Sequence, residues 1–335
     1  MATISFFETE AWEEEDFRKQ FPQDTLHFSP QTLEEGKEYE QAVFDAEVVC
    51  VFAFSQVSKA VLEKFPHVKC IVTRSTGFDH IDLSYCKEKG ITVCNVPAYG
   101  VHSVAEHTFA LILGLSRKLI PSVERTRKGN FTLEGLRGFE LFGKTLGVVG
   151  VGNIGKVVAD IALGMGMKVV AYNRHEDEEL KNKGVEFKDL DSLLSQSDVV
   201  SLHLPYMKET HHIINMDNIT KFKKGALLIN AARGGLVETR AILEGLEQHI
   251  LAGAGLDVLE EECSMREERE LLSTKFLESC DLRTQLLDHM LLDREDVLIT
   301  PHNAFNSNEA VDQIMQITID NIKGFLVGSP VHIVS

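Results

Sequence analysis

Thr145-Leu146-Gly147-Val148-Val149-Gly150-Val151-Gly152-Asn153-Ile154-Gly155 is the stretch on which the reading of this chain turns. A short apolar, β-branched run leads straight into G-x-G-x-x-G, and a helical pattern opens at Ile154. In that order the glycines have separate tasks. Gly150 permits the tight turn, Gly152 lets backbone approach a pyrophosphate, and Gly155 lets the helix pack on the strand. The pattern returns to a strand at Lys168–Tyr172, which completes a β-α-β unit and places Asn153 and Ile154 at a helix N-terminus facing phosphate. Further strands read at Val199–His203, Ala226–Asn230, Gly253–Val258 and Val297–Thr300. Six strands with intervening helices predict a doubly wound dinucleotide-binding sheet.

Upstream lies a second α/β series. Thr3–Phe7, Val48–Phe54, Cys70–Arg74 and Ile91–Val96 read as strands, and Trp12–Phe21, Ser58–Phe65 and Leu83–Lys89 as helices. Near-continuous apolar strands alternating with helices imply a parallel sheet covered on both faces. One long helix is expected over Ser103–Leu119, stopped before Pro121, and another over Ser307–Val327. The charge-rich stretch Ser264–Asp293 reads as surface helices with a solvated Glu/Arg run.

At 335 residues the chain exceeds one typical core, so two domains are expected. A formal net charge of −17 argues against nucleic acid and anionic membranes as partners, since phosphate neutralisation needs clustered cations. No basic, apolar leader opens the chain. The apolar run Phe109–Leu115 is too short to span a bilayer. The six cysteines (50, 70, 86, 94, 263 and 280) form no C-x-x-C pair and no metal-ligand spacing; they read as small buried hydrophobes in a reducing cytoplasm.

The residue that ends the second strand of the nucleotide unit selects the cofactor, because a carboxylate there accepts ribose hydroxyls and repels a 2′-phosphate. Here it is Asn173, followed by Arg174 and His175. The acidic run Glu176–Glu179 counts against a phosphate, so the reading favours NAD and leaves NADP open.

Three more segments follow strands: Asn230-Ala231-Ala232-Arg233-Gly234-Gly235, Asp257-Val258-Leu259-Glu260-Glu261-Glu262, and Thr300-Pro301-His302-Asn303-Ala304-Phe305. Each holds one group that reduction of a 2-keto acid needs. A guanidinium can grip a carboxylate and polarise the adjacent keto oxygen. An imidazolium can deliver a proton to the developing alkoxide. A carboxylate beside it orients the ring and favours its protonated form.

These segments, with Gly77-Phe78-Asp79-His80-Ile81-Asp82, Ser103-Val104-Ala105-Glu106-His107 and Ser201-Leu202-His203-Leu204-Pro205, resemble the D-isomer-specific 2-hydroxyacid dehydrogenase family, and within it the D-lactate dehydrogenase group. The match runs over essentially the whole chain. The resemblance implies a flavodoxin-like substrate-binding domain made from residues 1–101 and 302–335. It implies a Rossmann NAD-binding domain, 102–301, inserted between them, and a homodimer formed through the nucleotide domains. It implies Arg233, Glu262 and His302 as the catalytic set, although a one-residue shift would substitute Glu260 or Glu261. Backbone N–H groups at Thr76 and Gly77 would receive the substrate carboxylate, and Tyr99, Phe305 and Phe52 would line the side-chain pocket. Besides the glycine loop, Asn173 and Arg174, the cofactor would meet His203, Pro205, Ala231 and Asp257. His80, His107, His211 and His212 read as structural or surface residues.

The expected reaction is reduction of pyruvate to D-lactate by NADH. Rivals are another 2-keto acid, such as hydroxypyruvate, glyoxylate or a branched or aromatic acid, and a nucleotide-sensing corepressor without turnover.

Overall fold

The computed structural model describes residues 1–260 and 282–335, and it divides into two compact units, Met1–Gly100 with Ser307–Ser335 and Val101–Asn306.

In the first unit the chain runs β1 (Thr3–Phe7), α1 (Ala11–Gln20), β2 (Thr25–Ser29), β3 (Val48–Val51), α2 (Lys59–Leu62), β4 (Cys70–Thr73), α3 (Leu83–Lys89) and β5 (Thr92–Cys94), and the C-terminal helix Asn308–Leu326 joins it. The strands pair in parallel in the order β2-β1-β3-β4-β5, the flavodoxin-like arrangement that the family resemblance implies. Every residue of β3 and β4 is buried, as strands covered on both faces require. Ser58 caps α2 as expected, its hydroxyl accepting from the Val61 N–H.

Two local readings change. Edge strand β2 was not legible, because none of its residues is fully buried and its apolar pattern is weak. The strand expected to reach Phe54 ends at Val51, where the Glu8 carboxylate accepts the N–H groups of Phe52 (2.9 Å), Phe54 (3.0 Å) and Ser55 (3.2 Å). Those donors serve a side chain instead of a neighbouring strand.

The second unit contains α4 (Val101–Ser116), α5 (Leu119–Arg127), β6 (Thr145–Val149), α6 (Asn153–Gly164), β7 (Lys168–Tyr172), α7 (Glu178–Asn182), β8 (Glu186–Phe187), α8 (Leu190–Gln196), β9 (Val199–Leu202), β10 (Ala226–Asn230), α9 (Thr239–Glu247), β11 (Leu251–Leu256), α10 (Leu282–Leu292) and β12 (Val297–Ile299). Its parallel sheet has the order β12-β11-β10-β9-β6-β7-β8, a doubly wound Rossmann sheet extended by one strand. The topological switch falls between β6 and β9, beside the glycine loop. The long helix expected over Ser103–Leu119 is α4, which ends at Ser116, and a further helix not read from the sequence, α5, follows it. Lys118 takes a left-handed φ of +51° and α5 starts at Leu119, so Pro121 lies in a first turn, where its missing N–H costs nothing.

Four cysteines, 50, 70, 86 and 94, are buried free thiols; Cys263 and Cys280 lie outside the described residues.

Candidate active site

The glycine loop is packed as its spacing demands. Gly150 has φ +98°, and a Cβ there would stand 2.9 Å from the His203 carbonyl carbon, so only glycine fits between the ends of β6 and β9. A Cβ on Gly155 would strike the Gly150 carbonyl oxygen at 2.0 Å, which explains the close seating of α6 on the loop. Over Gly152 the space is open, with no atom within 4 Å of a Cβ position. Gly152 is the N-cap of twelve-residue α6, so the first-turn N–H groups from Asn153 to Gly155 open beside that clearing. Open backbone at a long helix N-terminus fits a dinucleotide pyrophosphate, with Gly152, Asn153 and Ile154 as the residues that would hold it.

The other nucleotide candidates lie at neighbouring strand ends. The Gly150 N–H donates to the Tyr172 carbonyl (2.8 Å), which ties the loop to the end of β7, where Asn173 and Arg174 follow. His203 shares a hydrogen bond with Ser201 Oγ (2.8 Å). Desolvation pushes its imidazole down to about 4, although the residue as a whole keeps some exposure, so the ring is neutral at pH 7. Pro205 is exposed, and its carbonyl accepts from Thr210 Oγ1 (2.7 Å).

β10, β11 and β12 are adjacent, so their carboxyl ends lie side by side. Buried Asn230 ends β10. Its Oδ1 accepts from the Ala232 N–H (3.1 Å) and its Nδ2 donates to the Arg233 carbonyl (2.9 Å), which shapes the loop carrying Ala231 and half-buried Arg233. The Asp257 N–H in turn donates to the Asn230 carbonyl (2.9 Å), and the His302 N–H to the Asp257 carbonyl (2.9 Å). One chain of backbone bonds therefore links the loops of Arg233, Asp257 and His302.

The Asp257 side chain, 1% exposed, has a task the sequence reading did not see. Its Oδ1 accepts from Thr300 Oγ1 (2.5 Å) and the Asn303 N–H (3.0 Å), and its Oδ2 from the Ala304 N–H (2.9 Å). That carboxylate clasps the loop on both sides of His302 and just before Phe305. His107, on α4, adds its Nε2 at 3.0 Å from Thr300 Oγ1 and 3.5 Å from Asp257 Oδ1. The signal available for His107 was an imidazole on an otherwise apolar helix face, whose partners sit far along the chain. The clasp also puts His302 and Phe305 in the second unit, which extends to Asn306 instead of ending at residue 301.

His302 itself has a left-handed φ of +51°, uncommon for a residue with a side chain. Its N–H is shared between the Asp257 and Thr300 carbonyls, both at 2.9 Å. Backbone outliers of this kind gather at functional sites, where surrounding structure holds them.

Glu262 and Glu261 lie outside the described residues. Glu260 is committed elsewhere: Oε1 is 2.5 Å from His212 Nε2, and Oε2 accepts from the Thr239 N–H (3.0 Å) and Oγ1 (2.9 Å) at the start of α9. With both oxygens engaged there, Glu260 is a structural carboxylate.

In the first unit, the turn after β4 holds Thr76 and Gly77. The Thr76 hydroxyl donates to the Val96 carbonyl (2.8 Å), Ser75 Oγ to the Gly77 carbonyl (2.7 Å), and Asn95 Nδ2 to the Thr76 carbonyl (2.8 Å). Among the described residues no acceptor meets the N–H of Thr76 or of Gly77, and Thr76 is exposed. Two adjacent unclaimed N–H groups on a braced turn can receive a carboxylate. Buried Asn321 of the C-terminal helix supports the brace, donating to the Asn95 carbonyl (2.8 Å) while His332 Nδ1 meets its Oδ1 (2.8 Å). Neither Asn95 nor Asn321 was singled out in the sequence, although an Asn between Ile319 and Ile322 is a buried amide seeking partners. Phe52 and Tyr99 are half-buried in the same unit, the Phe52 ring packing edge-on against Phe54 at 6.2 Å.

With this geometry in hand, comparison with known proteins is direct. The family model described as D-isomer specific 2-hydroxyacid dehydrogenase, NAD binding domain, matches residues 109–304. The 2-hydroxyacid dehydrogenase A of Aspergillus oryzae is 42% identical over 84% of this chain and 80% of its own. The D-lactate dehydrogenase of Escherichia coli is 37% identical over 84% of each. Among solved structures, the D-lactate dehydrogenase of Aquifex aeolicus complexed with NAD and lactic acid superposes with a TM-score of 0.86 at 38% identity, covering 97% of this chain and 96% of that one.

Proposed function

Because the chain belongs to the D-isomer-specific 2-hydroxyacid dehydrogenase family and is an NAD-dependent oxidoreductase, we propose that it reduces pyruvate to D-lactate with NADH. The observation that carries the substrate class is the pair of N–H groups at Thr76 and Gly77 that no acceptor meets among the described residues, a seat for a small carboxylate. Residues 1–100 and 307–335 are then the substrate-binding domain. Half-buried Phe52 and Tyr99 lie in the same unit as that seat, and apolar rings suit a methyl group better than a charged or polar substituent. Two proteins named D-lactate dehydrogenase among the relatives point the same way.

When bound, the dihydronicotinamide supplies a hydride to the keto carbon. The residues of this chain do the rest. Arg233 pairs with the carboxylate and polarises the keto oxygen, so negative charge builds on that oxygen beside a fixed cation. Protonated His302 gives its proton to the same oxygen, and the product leaves as the hydroxy acid. Glu262, outside the described residues, is the carboxylate this reading assigns to favouring the charged imidazole. Asp257 and His107 hold the loop that carries His302 and fix where the proton arrives.

Initial rates across a panel of 2-keto acids with NADH test the reading. The kcat/KM for pyruvate should exceed that for phenylpyruvate or hydroxypyruvate by about tenfold or more, a margin a few methylene-sized contacts can supply. A larger acid turned over faster than pyruvate would keep the family and overturn the substrate.

The protein also acts as a homodimer in this reading. Helix α5 buries none of its residues although it carries Leu119, Ile120 and Val123, and Phe131 (77% exposed) and Leu133 (83%) follow it. Apolar side chains concentrated on one segment call for a partner, and a second copy satisfies them through symmetry. Light scattering should return twice the 37.4 kDa of the chain; a monomer at micromolar concentration would refute this. No helix among the described residues is long and apolar enough to cross a membrane, and a cytoplasmic location fits the buried free thiols.

A further inference from the structure

We propose that the nucleotide site accepts a 2′-phosphorylated adenine dinucleotide, with Arg174 and His175 receiving the phosphate, so that NADPH serves alongside NADH. The proposal rests on dinucleotide binding by the second unit and not on the identity of the keto acid.

Four observations carry it. First, the position after β7 is Asn173, which places no negative charge where a carboxylate would reject a 2′-phosphate. Its Nδ2 donates to the His175 carbonyl (2.9 Å), closing a short turn, and among the described residues no donor meets its Oδ1. That oxygen can still accept from a ribose hydroxyl, so NADH loses little.

Second, the turn projects Arg174 and His175 into solvent immediately after the strand, both exposed. Neither engages a carboxylate in an ion pair among the described residues. A guanidinium fork matches phosphate oxygens with two parallel hydrogen bonds.

Third, the turn is fastened beside the phosphate loop from two directions. Gly150 donates to the Tyr172 carbonyl, and Lys156 of α6 pairs with Asp177 at 2.6 Å. The adenosine end and the pyrophosphate end of the site thus belong to one braced arrangement.

Fourth, the acidic run that argues against a phosphate in the sequence is compensated in the fold. Lys181 pairs with both Glu176 and Glu178, Lys156 with Asp177, and Lys183 with Glu179 while it also meets Asp160. Asp177 further accepts the Leu180 N–H at the start of α7 (3.0 Å). Carboxylates held by ammonium groups at the surface, with salt screening the remainder, repel an incoming phosphate far less than the bare sequence suggests.

Equilibrium titration of the full chain tests this without turnover. Calorimetry would compare NADPH with NADH, and adenosine 2′,5′-bisphosphate with adenosine 5′-monophosphate. The expected result is an NADPH dissociation constant within about tenfold of that for NADH, and tighter binding of the bisphosphate than of the monophosphate. Arg174→Ala should lower the NADPH-to-NADH affinity ratio by about tenfold, the scale of one charge-assisted phosphate contact. Asn173→Asp should lower it further. NADPH bound more than about a hundredfold more weakly than NADH, or an equal loss for both nucleotides in Arg174→Ala, would overturn the proposal. If the unaltered chain binds neither dinucleotide, the nucleotide site itself is misread, and the proposal falls with it.

Discussion

Replacing His302 with alanine should lower kcat for keto-acid reduction by about 10²- to 10⁴-fold, the usual contribution of a positioned acid–base group. The NADH dissociation constant should stay within about twofold, because the dinucleotide seat lies at the ends of β6 and β7. His302 is held at φ +51°, a conformation that costs roughly 1–3 kcal/mol for a residue with a side chain. It persists because the Asp257 carboxylate binds the loop at Thr300, Asn303 and Ala304, and the Asp257 and Thr300 carbonyls share the His302 N–H. A loop so constrained aims one side chain. His302→Gly separates the two contributions, since glycine adopts positive φ freely while lacking the imidazole. Stopped-flow rates should fall for glycine as far as for alanine. If glycine restored turnover, backbone strain and not proton transfer would be the reason His302 matters.

The second large effect is on stability. Arg74→Met should destabilise the first unit by about 3–5 kcal/mol, the range for stripping one partner from a buried ion pair. Arg74 is 3% exposed at its side chain and Glu13 10%, and they form an ion pair through Arg74 Nη1 and Glu13 Oε1. Arg74 Nη2 also donates to the carbonyls of Phe7 (2.9 Å) and Glu8 (2.6 Å), and its guanidinium lies 5.2 Å from the centre of the Phe52 ring. Methionine keeps much of the volume and removes the charge, so largely buried Glu13 loses its cation and two carbonyls lose their donor. The double variant Arg74→Met with Glu13→Leu removes both charges and should recover most of the loss. Urea unfolding followed by probes of each unit separates this transition from that of the nucleotide unit, since a two-domain chain need not unfold in one step. An unshifted midpoint for the single variant would show that the pair contributes nothing net.

Arg74 also shows where sequence reading ran out. It closes the strand Cys70–Arg74 expected from the sequence, yet its partner lies on α1 at a separation of 61 residues. Nothing in the local pattern of either residue names the other. Glu260 teaches a related lesson: beside Glu261 and Glu262 in the sequence it is indistinguishable from them. In the fold His212, 48 residues away, and the Thr239 N–H claim its oxygens. His107, read as structural or surface, reaches Thr300 across 193 residues. By contrast, the strands at Thr3–Phe7, Lys168–Tyr172 and Ala226–Asn230 were legible to the residue, because a buried parallel strand must be apolar nearly throughout.

The sequence by itself determined the two parallel-sheet domains, the glycine loop and the three strand-end segments bearing Arg233, Asp257 and His302. These depend on local requirements: the periodicity of burial, the room a turn needs, and the residue types a reaction needs. Only the tertiary structure decided what those polar groups do. Asp257 became the clasp of the His302 loop, Glu260 the anchor of α9, and the acidic run after Arg174 a set of lysine-paired charges. The physical reason is that a hydrogen bond or ion pair is set by which chain segments the strand order brings within about 3 Å. Strand order is a property of the folded sheet and not of any short window of sequence.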